Sequence, residues 1–529
     1  MPNTSRALNT TSARWEWLWR WRVGLMVSVV GVVAAVLRFV GLSSTKTLVF
    51  DEVFYVRGAF SILKYGYEGD WTGDNDWFAE GNISGLHTDG DFVVHPMVGK
   101  LLIALGMKVF GNNPFGWRVT TALFGVATCI LVALIARHLF RSTLFGGIAG
   151  LLMAIEGISI VLSRTALLDN YIAFFVTAGL GLMLADRARM APRVFAGAAA
   201  ERERRGLGQD EPIPGWGPRT GFHWWRWAGV VTLGLAASTK WSGVYFAVAF
   251  LALSVLFDIV DRRRAGFERW FWGSAVRAIP TAIGSIVTLI TVYLLTWWNW
   301  FATTGSYNRE WAQDNPGAGT SWLPDPLRSL WHYHQQMWHF HTTLTTPHNY
   351  SANPYGWMLQ LRPTAFLFHD VDDVDCGAAR CVTAIHAIGH PFIWWAGSAA
   401  LLYALWRTIR HLDLMALTVS LGILAGWVVW FPYAYRTVFA FYSVAFAPFV
   451  VLTLTWALWR IALPDGLAGF TGIDRYSRGG SLAVASFVAV CLIFAGFFLP
   501  IWTGMVIPYD YWLMHMWLPN MGPLGKGWI

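Results

Sequence analysis

Long apolar stretches alternate with short polar segments along this chain, and arginines gather at one end of most of them. The stretches are 23–42, 119–136, 144–162, 166–185, 224–239, 241–259, 279–300, 392–406, 414–430, 439–459 and 482–501. Most are near the length a helix needs to cross a hydrocarbon layer of about 30 Å. Only closed hydrogen bonding within each segment is tolerated there, so the pattern predicts an all-α polytopic membrane protein with about 11 transmembrane helices.

Charge orients the walk. Arg6, Arg14, Arg20 and Arg22 precede the first stretch, which places residues 1–22 in the cytoplasm. No small-residue cleavage site follows, so the stretch reads as a retained anchor. Arg137 and Arg141, the run from Arg187 to Arg219, Arg262 to Arg264, Arg407 with Arg410, and Arg460 then fall on the cytoplasmic side. The carboxy terminus falls outside. The stretch 224–239 is short for a bilayer, and if re-entrant it would reverse every later loop. Residues 196–218 read as a flexible, charged cytoplasmic loop.

Two external segments are too long to be mere connections, 43–116 and 301–391. The first is acidic, with Asp51, Glu52, Glu68, Asp70, Asp74, Asp76, Glu80, Asp89 and Asp91. Within it, 53–63 and 98–110 mix apolar faces with Arg57, Lys100 and Lys108, as helices lying in the membrane interface do. The second is rich in Trp, His and Pro and shows no period. The chain thus divides into a cytoplasmic segment 1–22, an amino-terminal transmembrane module 23–300 carrying loop 43–116, an external loop 301–391, and a carboxy-terminal four-helix module 392–529.

Composition agrees: the chain is 55% hydrophobic and 13% charged, with 33 Trp among 529 residues. Its net charge of +8 comes mostly from arginines flanking apolar stretches, so nucleic acid is not an expected partner. Cys129 and Cys491 fall within apolar stretches, whereas Cys376 and Cys381 lie five apart in the second external loop, where an oxidising face allows a disulfide.

Candidate chemistry starts at Asp51 and Glu52, just past the outer end of the first stretch. Alone, such a pair could simply open a helix, where carboxylates offset the macrodipole by roughly 0.3–1 kcal/mol. Other polar residues stand at external ends of stretches: His95 and Lys100, Arg118, Arg164 with Asp169, Lys240 with Trp241, and Arg436. Several cations on one membrane face with a carboxylate pair suit a lipid phosphate.

In order, the chain carries Phe50-Asp51-Glu52, His95-Pro96-Met97-Val98-Gly99-Lys100, Ser163-Arg164-Thr165-Ala166-Leu167-Leu168-Asp169 and Lys240-Trp241-Ser242-Gly243. His348-Asn349-Tyr350-Ser351 follows, running through Pro354, Trp357, Arg362 and Pro363, and then Tyr435-Arg436 through Phe439, Phe441 and Tyr442. This succession resembles the protein O-mannosyltransferases, membrane enzymes of the C-type glycosyltransferase fold, from Arg38 to near the carboxy terminus. Two positions depart from that family: Met97 where a second proline is usual, and Phe441 where a histidine often precedes the tyrosine. The segment 301–391 is too short for the β-trefoil domain of eukaryotic members, so the resemblance is to bacterial, actinobacterial-like ones.

The resemblance implies mannose transfer from polyprenyl-phosphate mannose to Ser or Thr hydroxyls of exported polypeptides, on the outer face of the cell membrane. Membrane lipids would surround the enzyme, and a translocon could serve as a further partner. A sugar phosphate ester already carries a good leaving group, so such a reaction needs cations for the phosphate and a base for the hydroxyl proton. Arg164 and Arg436 suit the phosphate, because the guanidinium fork binds it bidentately. The resemblance makes Asp51 the base, with Glu52 orienting the acceptor or supporting Asp51. His95, Lys100, Arg118, Asp169, Lys240, Trp241, His348, Asn349, Trp357, Arg362 and Tyr442 are expected to bind substrate or support the site. Adjacent carboxylates point in different directions, unlike the facing pair of a glycosidase, so direct displacement with inversion is expected, from a β-linked donor to an α-mannoside.

No metal ligand is assigned, although His332, His334, His339, His341 and His348 leave a divalent cation open. The sequons Asn82-Ile83-Ser84 and Asn349-Tyr350-Ser351 add little. Two other readings stay in play: transfer of aminoarabinose or arabinose from a lipid phosphate to lipid or wall polysaccharide, and transport of a lipid-linked sugar.

Overall fold

A computed structural model describes residues 5–73, 75–372, 374–463, 476–520 and 527–529, with side chains from residue 21 onward except at 75 and 76. Asp74 of the acidic loop and the side chains of Arg6, Arg14, Arg20 and Asp76 lie outside the described residues.

Every apolar stretch forms helix. Among the described residues, seven helices are long and apolar enough to cross a membrane: Trp21–Phe39, Pro114–Phe140, Asp169–Arg205, Gly243–Arg264, Trp270–Leu295, Leu414–Tyr433 and Arg478–Thr503. An eighth crossing arises if the pair Thr143–Ala154 and Gly157–Ser163 is one span. The other helices, Trp224–Ala237, Pro391–His411 and Ala447–Ala462, make up the difference from the eleven stretches. At 1.5 Å per residue the 14 residues of Trp224–Ala237 reach only about 21 Å.

The stretch 144–162 bends by 62° at Glu156. This carboxylate, wholly buried, accepts from the main-chain N–H groups of Ile158 (3.1 Å) and Ser159 (2.7 Å), capping the second helix. The Trp394 indole N–H (2.9 Å) and the His390 main-chain N–H (3.4 Å) also reach it. A cap within an apolar stretch starts a new helix direction because it satisfies the N–H groups that a continuous helix would have paired.

The presumed loop 196–218 is helical over its first half, since helix Asp169–Arg205 runs through it and ends on Gly206 in the left-handed conformation. Ala198 to Ala200 favour helix, and Glu201 pairs with Arg204 and Arg205 one turn on. Beyond it, arginine side chains hold main-chain carbonyls in place: Arg262 reaches Trp216 and Pro218, and Arg193 reaches Thr220.

Outside the membrane helices, Glu52–Tyr65 and Val98–Phe110 pack together as two short helices. The second loop is more ordered than its sequence suggests. It holds helix Asp325–Thr343 and the antiparallel strands Thr364–Val371 and Cys381–Ala387, the latter also pairing antiparallel with strand Val506–Pro508. A disulfide joins Cys376 to Cys381 where the two longer strands turn. Strand Cys381–Ala387 is buried along its whole length, so it shows no alternation that a sequence pattern could reveal.

Candidate functional site

Asp51 is the residue before helix Glu52–Tyr65, yet its carboxylate does not cap that helix and accepts no hydrogen bond from any described residue. The preceding residue, Phe50, has φ of 51°, a left-handed backbone that an aromatic side chain adopts only at a cost. Its ring is locked in an aromatic box. It stacks on Phe366 at 5.0 Å and meets Phe439 (5.3 Å), Phe441 (5.5 Å) and His348 (5.9 Å) edge-on. Packing thus fixes the turn that presents Asp51.

Glu52 goes elsewhere. Its oxygens are met by Arg118 Nε and Nη2, each at 2.7 Å, and by the main-chain N–H groups of Val49 (2.9 Å) and Ala166 (2.7 Å). With no exposed surface, it ties the loop to the membrane helices rather than facing a substrate beside Asp51.

The cations divide in the same way. Arg118 also donates to the carbonyls of Thr45 and Thr47. Arg164, expected at a donor phosphate, instead donates to the carbonyls of Leu37, Arg38, Val40 and Gly41. These are open at the end of the first helix, and a guanidinium fork satisfies several at once. Lys100 pairs with Glu68 at 2.6 Å, both buried, and donates to the His95 carbonyl. Arg362 donates to main-chain oxygens of Asn349, Gly527 and Ile529 and lies over the Tyr350 ring. Lys240 pairs with Asp169 at 2.7 Å, its ammonium 4.9 Å above the Tyr442 ring. Among these described cations, Arg436 alone has a side chain with no hydrogen-bond partner, and its Nε is buried.

Asp51, Asp169, Lys240, Tyr442, Arg436 and His95 form one neighbourhood. Burial lifts the Asp51 carboxyl from 3.8 to about 6; Lys240 pulls it down and Asp169 pushes it up. Burial, then Lys240, His341, Lys100 and Arg436, hold His95 well below the usual imidazole value, so its ring is neutral. His95 lies 6.1 Å from Tyr55 and stacks on His341 at 5.1 Å. His341 is 5.6 Å from Trp241, whose indole N–H donates to the Tyr293 hydroxyl.

The remaining predicted residues make other contacts. His348 props Phe50, Asn349 offers its carbonyl to Arg362, and Trp357 donates to the Ala352 carbonyl while its ring meets Tyr442 at 6.0 Å. His332 stacks on Trp311, and His334 bonds to the Tyr293 hydroxyl, so this pair does not converge. Among the described residues, no three His, Cys, Asp or Glu side chains gather as metal ligands would. Tyr55 and His341 join the site although neither was expected there. A run of five nearby histidines gave no sign of which one packs against His95 and Trp241.

The family model for dolichyl-phosphate-mannose-protein mannosyltransferase matches residues 28–192, and that for the C-terminal four-transmembrane region of protein-O-mannosyltransferase matches 326–521. A polyprenol-phosphate-mannose–protein mannosyltransferase of Mycobacterium tuberculosis is 36% identical over 95% of this chain and 92% of its own length. Its namesake in Corynebacterium glutamicum is 33% identical over 93% and 92%. The structure of the Saccharomyces cerevisiae protein O-mannosyltransferase Pmt1-Pmt2 complex bound to the sugar donor superimposes with a TM-score of 0.66 at 14% identity, covering 96% of this chain and 92% of that one.

Proposed function

Since the chain belongs to the dolichyl-phosphate-mannose–protein mannosyltransferase family and has the C-type glycosyltransferase fold, we propose that Asp51 and Arg436 are the centre of its mannosyl-transfer site. The donor in this reading is polyprenyl-phosphate mannose, and the acceptor is a Ser or Thr hydroxyl of an exported polypeptide. Arg436 holds the donor phosphate. Asp51 takes the hydroxyl proton as the oxygen attacks the anomeric carbon, and the bond to phosphate oxygen breaks with inversion, from β donor to α-mannoside. Two modules then share the work, Asp51 from 23–300 and Arg436 from 392–529.

One observation carries this assignment: among the described residues neither the Asp51 carboxylate nor the Arg436 guanidinium has a hydrogen-bond partner, while Glu52 and the other candidate cations are committed. A carboxyl near 6 is a better proton acceptor than an ordinary one and is still ionised at neutral pH. The Lys240–Asp169 pair keeps a cation beside Asp51 and opposes a further rise. In this topology the amino terminus is cytoplasmic and the site opens on the outer face, where the lipid-borne sugar and an exported chain can meet.

The test is mannose transfer from polyprenyl-phosphate mannose to a Thr-rich peptide by purified wild type and Asp51→Asn, with the product linkage determined. Transfer giving an α-linkage and lost in the folded variant is expected. A β-linked product, or an Asp51→Asn enzyme of undiminished rate, would overturn the mechanism.

A further inference from the structure

His341 lies in the last turn of helix Asp325–Thr343 and is distinct from the two residues just assigned to phosphate and proton. Its Nε2 is 2.9 Å from the Val94 carbonyl oxygen. A carbonyl only accepts, so Nε2 carries a proton. Burial, reinforced by Arg436 and Lys240 and opposed by the Val94 bond, pushes the ring down to about 4. It is neutral at pH 7, which leaves Nδ1 as a bare acceptor. No described residue donates to it. Of the donors nearby, Lys240 bonds to Asp169 and the Trp241 indole to Tyr293, while Arg436 is the group assigned to the donor phosphate. The ring is also fixed in place, with His95 stacked at 5.1 Å and 27°.

We propose that His341 Nδ1 accepts a hydrogen bond from a hydroxyl of the transferred mannosyl group, making His341 a sugar-binding residue of the donor site. This rests on the reading of the site given above. A phosphodiester linking sugar to lipid has no O–H of its own, so a donor molecule can satisfy Nδ1 only through the sugar. Trp241, with its ring centre 5.6 Å from that of His341, offers the flat aromatic surface on which the C–H face of a pyranose packs. The tautomer, and with it the acceptor, is set by Val94 before the sugar arrives.

The test pairs enzyme and substrate changes. His341→Phe keeps a flat ring to stack on His95 and removes Nδ1; His341→Gln retains an acceptor. Transfer efficiency is measured with polyprenyl-phosphate mannose and its 2-, 3-, 4- and 6-deoxy analogues, and inhibition with polyprenyl phosphate alone. The Phe variant should lose roughly tenfold on the parent donor, as for one hydrogen bond of about 1.4 kcal/mol. It should lose nothing on the one analogue that lacks the bonded hydroxyl, and the full factor on the rest. Inhibition by polyprenyl phosphate should be unchanged, and the Gln variant should recover part of the rate. Equal loss on every donor, or weakened inhibition by polyprenyl phosphate, would overturn the role of His341 while leaving the mannosyl-transfer reading intact. A folded wild type that transfers no mannose would overturn both. His341→Leu serves in the same comparison if the Phe variant does not fold.

Discussion

Glu52 and Arg118 form a two-point ion pair with no access to solvent, Nε to Oε1 and Nη2 to Oε2 both at 2.7 Å. The two adjacent carboxylates have opposite fates: Asp51 is left open and Glu52 is sealed. Removing one partner of a buried pair strands the other charge, which costs about 3–5 kcal/mol. Glu52→Ala and Arg118→Ala should therefore lower yield and thermal midpoint in detergent, and any loss of transfer should track loss of folded protein. The double replacement Glu52→Gln with Arg118→Met should be less destabilised than either alanine variant.

Asp51 should behave in the reverse manner. It must be ionised to take a proton, so transfer efficiency should fall with unit slope as pH drops below about 6. Its loss in Asp51→Asn should cost about 10²–10⁴-fold in rate. Stability has its own sign. The folded-state value lies above 3.8, so the folded form binds the proton more tightly than the unfolded chain. Wild type then loses stability as pH rises from 3.8 to about 6 and regains none above. The thermal midpoint of Asp51→Asn should gain on wild type across that interval and hold the gain at higher pH. A midpoint difference independent of pH would refute it.

Arg436 and Arg164 make a matched contrast. A charge-assisted contact to phosphate is worth about 1.5–3 kcal/mol, so Arg436→Ala should raise the donor KM roughly 10- to 150-fold with the fold intact. Arg164→Ala uncovers four carbonyls at the end of the first helix and should reduce thermal stability, with the donor KM of the surviving enzyme near normal. Donor titrations beside melting curves separate the two.

Glu156 is expected to be indispensable for folding rather than chemistry. Glu156→Ala leaves the N–H groups of Ile158, Ser159, His390 and Trp394 without their acceptor inside the protein, each at about 1–3 kcal/mol. It should fail to accumulate in membranes, whereas Glu156→Gln, which keeps one carbonyl oxygen, should accumulate in part. Expression and size-exclusion profiles of the two decide this.

Sequence alone determined the membrane class and the positions of the apolar helices, and it singled out the Asp51-Glu52 pair. Hydrophobic length and flanking arginine are local properties of the chain, and the motif around Asp51 is contiguous. It also named Arg436, Lys240, Asp169 and His95, along with Lys100, Arg118 and Arg164, as polar residues on one membrane face. Tertiary structure decided which of them are free. Arg164 and Arg436 read alike as cations at the ends of stretches, and only the carbonyls left open by a helix more than a hundred residues earlier turn Arg164 into a clamp. The same holds for Glu52, absorbed by Arg118, and for His341, chosen from five histidines by the Val94 carbonyl and the His95 ring. A hydrogen bond is satisfied or left open by partners distant in the chain, and that distance is what a local pattern does not carry.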